Sequence, residues 1–91
     1  MITAIVLIDT AADRIPEAAK EIADLPGVSE VYSVTGRVDL IALVRVREHE
    51  ELAQVIADRL SKVPGVVKTE TYLAFQAYSQ HDLEQAFSLG F

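Results

Sequence analysis

Few residues of this chain have the types and the spacing that catalysis requires. No cysteine is present, which excludes a disulfide framework and a thiolate nucleophile or metal ligand. His49 lies in the charged run Arg47–Glu51, where a carboxylate–imidazole metal cluster is conceivable. We favour the interpretation that His49 lies at a solvated helix start and not in a metal site, because no second histidine follows four residues later. His81 is interpreted as a first-turn residue of a helix. With no nucleophile elbow and no glycine-rich phosphate loop, we expect a protein that is not an enzyme and that needs no metal or cofactor.

The segment Thr35–Asp39 has residues suited to a small charged ligand. Gly36 permits a positive φ angle and close backbone approach, so backbone N–H groups can meet a carboxylate. Asp39 can accept a hydrogen bond from an ammonium group, and Arg37 can pair with a carboxylate. The alternative is that the segment is only a hairpin turn. The residues alone leave both interpretations open.

Aromatic residues offer a second set of candidates. Tyr32 and Tyr72 fall on predicted edge strands, where a polar tip can serve a site. Phe75 is more typical of core or interface packing.

These residues must be positioned by the elements that the apolar pattern predicts. The predicted strands are Ile2–Ile8, Val28–Thr35, a third from Asp39 or Leu40 to Val46, and Val66 to about Tyr78 with a break near Ala74. Helical stripes run over Ile15–Ala23 and Glu48–Lys62, and Ser79 opens a short last helix.

An internal repeat organises these elements. Leu25–Val28 recurs as Val63–Val66, an offset of 38 residues, and each copy links a helix to a strand. Two such units, each preceded by an apolar strand, give βαββαβ. We therefore predict an α+β, ferredoxin-like sandwich in a single domain, 1–91. An antiparallel four-stranded sheet carries two helices on one face, and a short strand and helix form a C-terminal extension.

The two central strands of that sheet have apolar residues on both of their faces. Ile5 and Leu7 oppose their neighbours Val6 and Ile8 in the first strand, and Ile41 and Leu43 oppose Ala42 and Val44 in the third. Helices on one face leave the other uncovered, and a soluble monomer rarely tolerates such a patch. A second subunit is expected to cover it, although the sequence does not fix which parity faces outward.

Composition narrows the partners and the compartment. Fourteen acidic residues against eight basic ones give a net charge of −6, and the basic residues are scattered. No apolar run reaches the length of a membrane helix, so no membrane partner is expected. A positively charged leader is not evident before the first apolar strand, which predicts a cytoplasmic protein.

One set of motifs is more specific for a known family than the composition and charge of the chain. Glu30–Leu40 contains Thr-Gly, two variable residues and Asp before an apolar strand, and it is followed by a Pro-Gly-Val turn and spaced threonines at Thr69 and Thr71. Together these resemble the effector (RAM) domain of the Lrp/AsnC family over essentially the whole chain. The chain departs from the family pattern at Arg37 and Val38, where an acidic residue and an aromatic one are common.

The resemblance implies an amino-acid-binding regulatory module of amino-acid metabolism. It implies homodimers formed by sheets packing face to face, assembled into an octamer or similar ring, with the effector near the Thr-Gly loop. Without a helix-turn-helix segment the chain resembles the stand-alone variant, with full-length Lrp/AsnC regulators as candidate partners. The predicted ligand-binding residues are Thr35, Gly36, Arg37, Val38, Asp39, Thr71 and Tyr72.

Two other classes of function remain open. Dimeric ferredoxin-like barrels include small monooxygenases and isomerases, but these place a histidine, tyrosine or asparagine inside the cavity, and no histidine here lies on a predicted strand. A purely structural partner that co-assembles with full-length regulators is the other class. An ACT-type amino-acid sensor is a close functional relative. It usually has a glycine after the first strand, whereas this chain has Asp9-Thr10-Ala11-Ala12 there.

The charge of the chain predicts that it does not bind duplex DNA on its own. Duplex binding needs clustered Lys and Arg that displace counterions, and this chain carries a net charge of −6. A gel-shift experiment at about 0.15 M salt, where weak phosphate contacts are screened, should show no retarded duplex. A retarded band under those conditions would contradict the prediction.

Overall fold

The computed structural model describes residues 1–78. Its strands are β1 (Ile2–Thr10), β2 (Val28–Ser33), β3 (Leu40–Val46) and β4 (Val66–Leu73). Helix α1 (Ile15–Ala23) follows a 3₁₀ turn at Ala12–Arg14. Helix α2 begins with α-helical residues His49–Leu52, continues with π-type hydrogen bonding over Ala53–Arg59 and ends in a 3₁₀ turn at Leu60–Lys62.

The four strands form one antiparallel sheet in the order β2-β3-β1-β4. Each β-strand–helix–β-strand half places its first strand in the centre and its second at an edge. The predicted βαββαβ, ferredoxin-like architecture is therefore confirmed, and so is the central position of the two most apolar strands.

Both helices pack on the same face of the sheet and form the core with it. Pro16 falls in the first turn of α1, where its missing N–H costs no hydrogen bond. Ala18 and Ile22 are fully buried on the inner side of that helix. The other buried apolar residues are Ala4, Val6, Ile8, Leu40, Ala42, Val44, Val46, Leu52, Val55, Leu60 and Val63. In the described part of the chain, neither helix has the length and apolar content needed to cross a bilayer.

Among residues 1–78, no helix lies on the opposite face of the sheet. Ile5 and Leu7 of β1 lie there and are half-buried, as are Ile41 and Leu43 of β3. Leu7 is paired with Ile41 and Ile5 with Leu43, so the four side chains form one apolar block at the centre of the sheet. The parity that the sequence left open is thereby fixed, and we call these four residues the open-face block.

The two Pro-Gly-Val turns of the repeat attach the helices to the sheet in the same way. Gly27 and Gly65 have φ angles of +93° and +98°, which favour glycine. The Gly27 carbonyl accepts a hydrogen bond from the Arg45 N–H, and the Gly65 carbonyl accepts one from the Ala11 N–H, both at 2.8 Å. Each turn thus binds to the end of a central strand, which fixes where the following edge strand begins.

Three predicted boundaries differ from the structure. β1 runs to Thr10 rather than Ile8, because the end of the strand pairs with β4. β2 ends at Ser33 rather than Thr35. The additional short strand predicted after Ala74 is wrong within 74–78, because the Ala74 N–H bonds to the Thr3 carbonyl near the start of β1 and little of the partner strand remains beyond it. The predicted last helix, from Ser79, lies outside the described residues.

Candidate functional site

The Thr-Gly loop connects β2 to β3 and projects from one end of the sheet. Its base is closed by the Val34 N–H, which donates to the Asp39 carbonyl at 3.1 Å. The Asp39 N–H donates to the Ile8 carbonyl at 3.0 Å, which attaches the loop to β1. The tip, 35–37, is exposed to solvent. The loop is therefore a surface element with a fixed base.

Gly36 supplies the conformation of this tip. Its φ angle is +127°, a region that residues with a Cβ rarely adopt, and a Cβ added there would meet no atom within 4 Å. The glycine is thus required by the backbone and not by crowding, and the space beside it is open to a ligand. Val38, the following variable residue, is half-buried.

Asp39 has a structural partner of its own. Its Oδ2 accepts a hydrogen bond from the Thr10 N–H at 2.9 Å, and the Thr10 hydroxyl lies 3.5 Å from the same oxygen. Thr10 is buried, so the carboxylate provides an acceptor for a backbone N–H that has little access to water. Asp39 therefore holds the end of β1 beside the loop.

Arg37 reaches from the loop to the far edge of the sheet. Its Nη2 lies 3.2 Å from Glu70 Oε2 on β4. The hydroxyl of Tyr72 donates to Glu70 Oε1 at 2.8 Å. We call these three residues the β4 triad. Its side chains border the open-face block, because Glu70 is paired with Leu7 of that block.

The contacts within the β4 triad shift the titration of its members. The hydrogen bond from Tyr72, and after it the one from Arg37, lowers the pKa of the Glu70 carboxyl below its ordinary value. The same hydrogen bond to Glu70 raises the pKa of the Tyr72 phenol. Glu70 is therefore a carboxylate, and Tyr72 a neutral donor, at neutral pH.

A similar cluster lies at the opposite edge of the sheet. On β2 the Tyr32 hydroxyl donates to Glu30 Oε2, and Arg45 Nη1 lies 3.9 Å from Glu30 Oε1. We call it the β2 triad. The open-face block thus lies between two Tyr–Glu–Arg clusters, and only the β4 triad includes a residue of the Thr-Gly loop.

The structure separates two residues that were predicted to share the site. Tyr72 is paired with Ile5 on the uncovered face, whereas Thr71 is paired with Val6 on the helix-covered face. Arg37 and Tyr72 are brought together, through Glu70. Sequence reasoning did not include Glu70 in the site, although strand alternation gives it the same parity as Tyr72 and so provided a signal.

Comparison with known proteins shows what this loop belongs to. The sequence profile described as the Lrp/AsnC ligand binding domain matches residues 3–83. The chain belongs to the Lrp/AsnC ligand-binding domain family. The resemblance inferred from the Thr-Gly loop and the Pro-Gly-Val turns is thereby confirmed.

Relatives of this Lrp/AsnC domain include transcriptional regulators. An uncharacterised HTH-type transcriptional regulator of Pyrococcus horikoshii is 41% identical over 59 residues, which are 65% of this chain and 39% of that protein. The chain thus spans well under half the length of that relative. The crystal structure of TTHA0845 from Thermus thermophilus is 50% identical with a TM-score of 0.82, and the match covers 88% of this chain and all of that one.

A more distant structure shares the fold. The transcriptional regulator NMB0573 of Neisseria meningitidis, solved as an L-Met complex, has a TM-score of 0.77 at 16% identity. The match covers 87% of this chain and 53% of that one.

The contact between Asp39 and Thr10 predicts a stability effect for Asp39→Ala. The variant leaves the Thr10 N–H without an acceptor in a buried position, which should lower the free energy of unfolding by between about 1 and 3 kcal/mol. Asp39→Asn keeps an acceptor oxygen and should lose less. Urea denaturation of both variants measures the effect. Thr35→Ala, in the same loop but exposed, is the control, and an Asp39→Ala variant as stable as that control would contradict the assigned contact.

Proposed function

We propose that this domain is a regulatory module that binds an amino-acid effector at the Thr-Gly loop and acts as an oligomer. The observation that carries the proposal is the exposed ion pair between Arg37 and Glu70 beside that loop. The proposed role of the domain is in the transcriptional regulation of amino-acid metabolism, in the cytoplasm and without direct contact between the domain and DNA. This role is supported by relatives that are named transcriptional regulators.

The charges at the loop are complementary to a free amino acid. A free α-amino acid carries its carboxylate and its ammonium group on the same carbon atom, and the Arg37–Glu70 pair presents the opposite charges 3.2 Å apart. The exposed backbone around Gly36 adds N–H donors for the carboxylate. Asp39 holds the buried Thr10 N–H, whereas the Glu70 side chain is 42% exposed. Both Glu70 oxygens already accept a hydrogen bond, but a carboxylate has further lone pairs for an ammonium group, so Glu70 is a second candidate beside Asp39.

The side chain of the effector would be selected by residues around this pair. Tyr72 is half-exposed and offers an aromatic face beside Glu70. Thr35 and Val38 flank the loop tip. That the Neisseria regulator was solved with L-Met shows an amino acid bound to a protein of this fold, which supports an amino acid as the class of ligand here.

An enzymatic role has less support from the described residues. Among residues 1–78 the histidine is His49, an exposed residue at the start of α2. In the β4 triad the hydrogen bond to Glu70 raises the pKa of the Tyr72 phenol, which keeps the phenol protonated and therefore a weak nucleophile. The groups of this triad are suited to hold a charged ligand, which favours binding over catalysis.

Paired variants at the two edges of the sheet test effector binding. A thermal-shift screen of the standard amino acids selects the ligand, and isothermal titration then measures its affinity. Glu70→Gln should weaken binding about tenfold or more, because it removes a charge-assisted hydrogen bond. Glu30→Gln makes the same change in the β2 triad, away from the loop, and should alter the affinity less than about twofold. Equal affinities in both variants would contradict a site at the β4 triad.

Oligomerisation is proposed from the open-face block. Four branched apolar side chains at the centre of a sheet face that residues 1–78 leave uncovered are typical of a surface that a partner covers. A second copy of the chain, packed sheet to sheet, would bring block against block. We propose that such homodimers assemble further into a ring, an octamer or similar, and that full-length Lrp/AsnC regulators can share the same contacts.

An arginine in the block should abolish this association. Leu7→Arg places a charge in the centre of the proposed interface, where it would be desolvated without a partner. Light scattering should then report a monomer, with circular dichroism confirming that the sheet is retained. Val67→Arg on β4 is the matched control, since Val67 is 71% exposed. A monodisperse 10.0 kDa wild-type species would rule out the oligomer.

A further inference from the structure

A cleft lies at the end of β3 that is farthest from the Thr-Gly loop. It has a volume of about 380 Å³ and lies between α2, the end of β3 and the Pro26-Gly27 turn. Pro26, Gly27, Val46 and Val55 contribute apolar surface to it. A concave site of this size with a partly apolar lining is within the range of small-molecule pockets.

The charged lining of this cleft is opposite in sign to the chain. The chain carries a net charge of −6, yet three of its five arginines line this cleft, namely Arg45, Arg47 and Arg59. Glu51 is the acidic residue among the described lining residues. In the region 1–78 neither Arg47 nor Arg59 has a carboxylate within 4.0 Å, and Arg45 approaches Glu30 only at 3.9 Å. The guanidinium groups are therefore poorly neutralised by the protein itself.

The backbone around the cleft is held by close contacts. A Cβ added to Gly27 would lie 2.9 Å from a methyl group of Val55 and 3.3 Å from one of Val46. The turn is therefore packed directly against α2 and β3. The hydrogen bond from the Arg45 N–H to the Gly27 carbonyl, 2.8 Å long, fixes the turn to the end of β3, which carries Arg45 and is followed directly by Arg47. A rigid base of this kind lowers the entropic cost of binding a ligand.

We propose that this cleft is a second ligand site, for a small molecule that carries a phosphate or several carboxylates. Guanidinium groups match the geometry of both kinds of oxyanion through paired N–H donors. Gln54 adds a neutral amide to the lining. The exposed ring of Pro26 can contact the uncharged part of the same molecule.

The cleft is separate from the effector site proposed above. The seven residues of β3 span roughly 20 Å at about 3.3 Å per residue, and the Thr-Gly loop lies at the other end of that strand. The β4 triad and this cleft share no residue. The failure of one site would therefore leave the other unaffected.

Titration of the 91-residue protein with two simple oxyanions tests the proposal. Sodium pyrophosphate and sodium citrate represent the phosphate and carboxylate sources of the same chemistry. Isothermal titration at about 0.15 M salt suppresses diffuse electrostatic binding. We expect saturable binding of at least one anion. The double variant Arg47→Gln/Arg59→Gln should weaken it about tenfold or more, while amino-acid affinity at the loop is unchanged.

A variant with the same change in net charge provides the control. Arg14→Gln/Lys20→Gln removes two positive charges at α1 and the turn before it, outside the cleft, and should change anion affinity less than about twofold. Absence of saturable binding for both anions would overturn the proposal. So would an equal loss in the two double variants, which would show a general charge effect. Retention of duplex DNA that depends on Arg47 and Arg59 would overturn it as well, by assigning them to nucleic acid.

Discussion

The pairing of β1 with β3 is the interaction on which the rest of this structure depends. Both strands carry branched apolar residues on both faces, so their shared ladder must be removed from water on two sides. Right-handed crossover connections place both helices on the same face, and they bury Val6 and Val44 completely. The other face retains the open-face block. The elements described in 1–78 therefore cover one apolar face of the sheet and leave the other uncovered.

Charged clusters at the two edge strands bound the area available to the proposed association. Edge strands present unpaired backbone groups that invite uncontrolled pairing, and charged side chains oppose it. Here each edge strand carries a glutamate held by a tyrosine and an arginine, Glu30 on β2 and Glu70 on β4. Ion pairs this exposed contribute little to the free energy of unfolding. These clusters matter because of where they lie. They flank the apolar block on two sides with groups that remain hydrated or that bind a charged partner.

The architecture was accessible from the sequence because its signals are local and repeated. The 38-residue offset between the two Pro-Gly-Val turns, and the contrast between apolar central and polar edge strands, determine the topology without tertiary information. The Thr-Gly loop was found for the same reason, since Gly36 marks a conformation that few other residues adopt.

The partners of the loop residues were not accessible in the same way. Asp39 binds Thr10, 29 residues away, and Arg37 binds Glu70, 33 residues away. Both contacts depend on the register of β1 against its neighbours. The β1–β4 ladder has an irregular step between Asp9 and Thr10, and the β2–β3 ladder that leads into the loop has one between Val28 and Glu30. Alternation places Tyr72 and Thr71 on opposite faces. Because a shift of one residue exchanges the two faces of a strand, spacing alone could not show which of them shares a face with the open-face block.

The position of the β4 triad connects the two proposed activities physically. Glu70 and Tyr72 are cross-strand neighbours of Leu7 and Ile5, which belong to the block proposed to bind a second copy. A ligand that changes the contact between Arg37 and Glu70 acts on side chains at the border of that interface. Linkage then requires reciprocity: any factor by which the effector changes the association constant is the factor by which association changes effector affinity. The sheet needs no large conformational change for this coupling, because Ile5 and Leu7 on one face of β1 are paired with Tyr72 and Glu70 and also belong to the proposed interface.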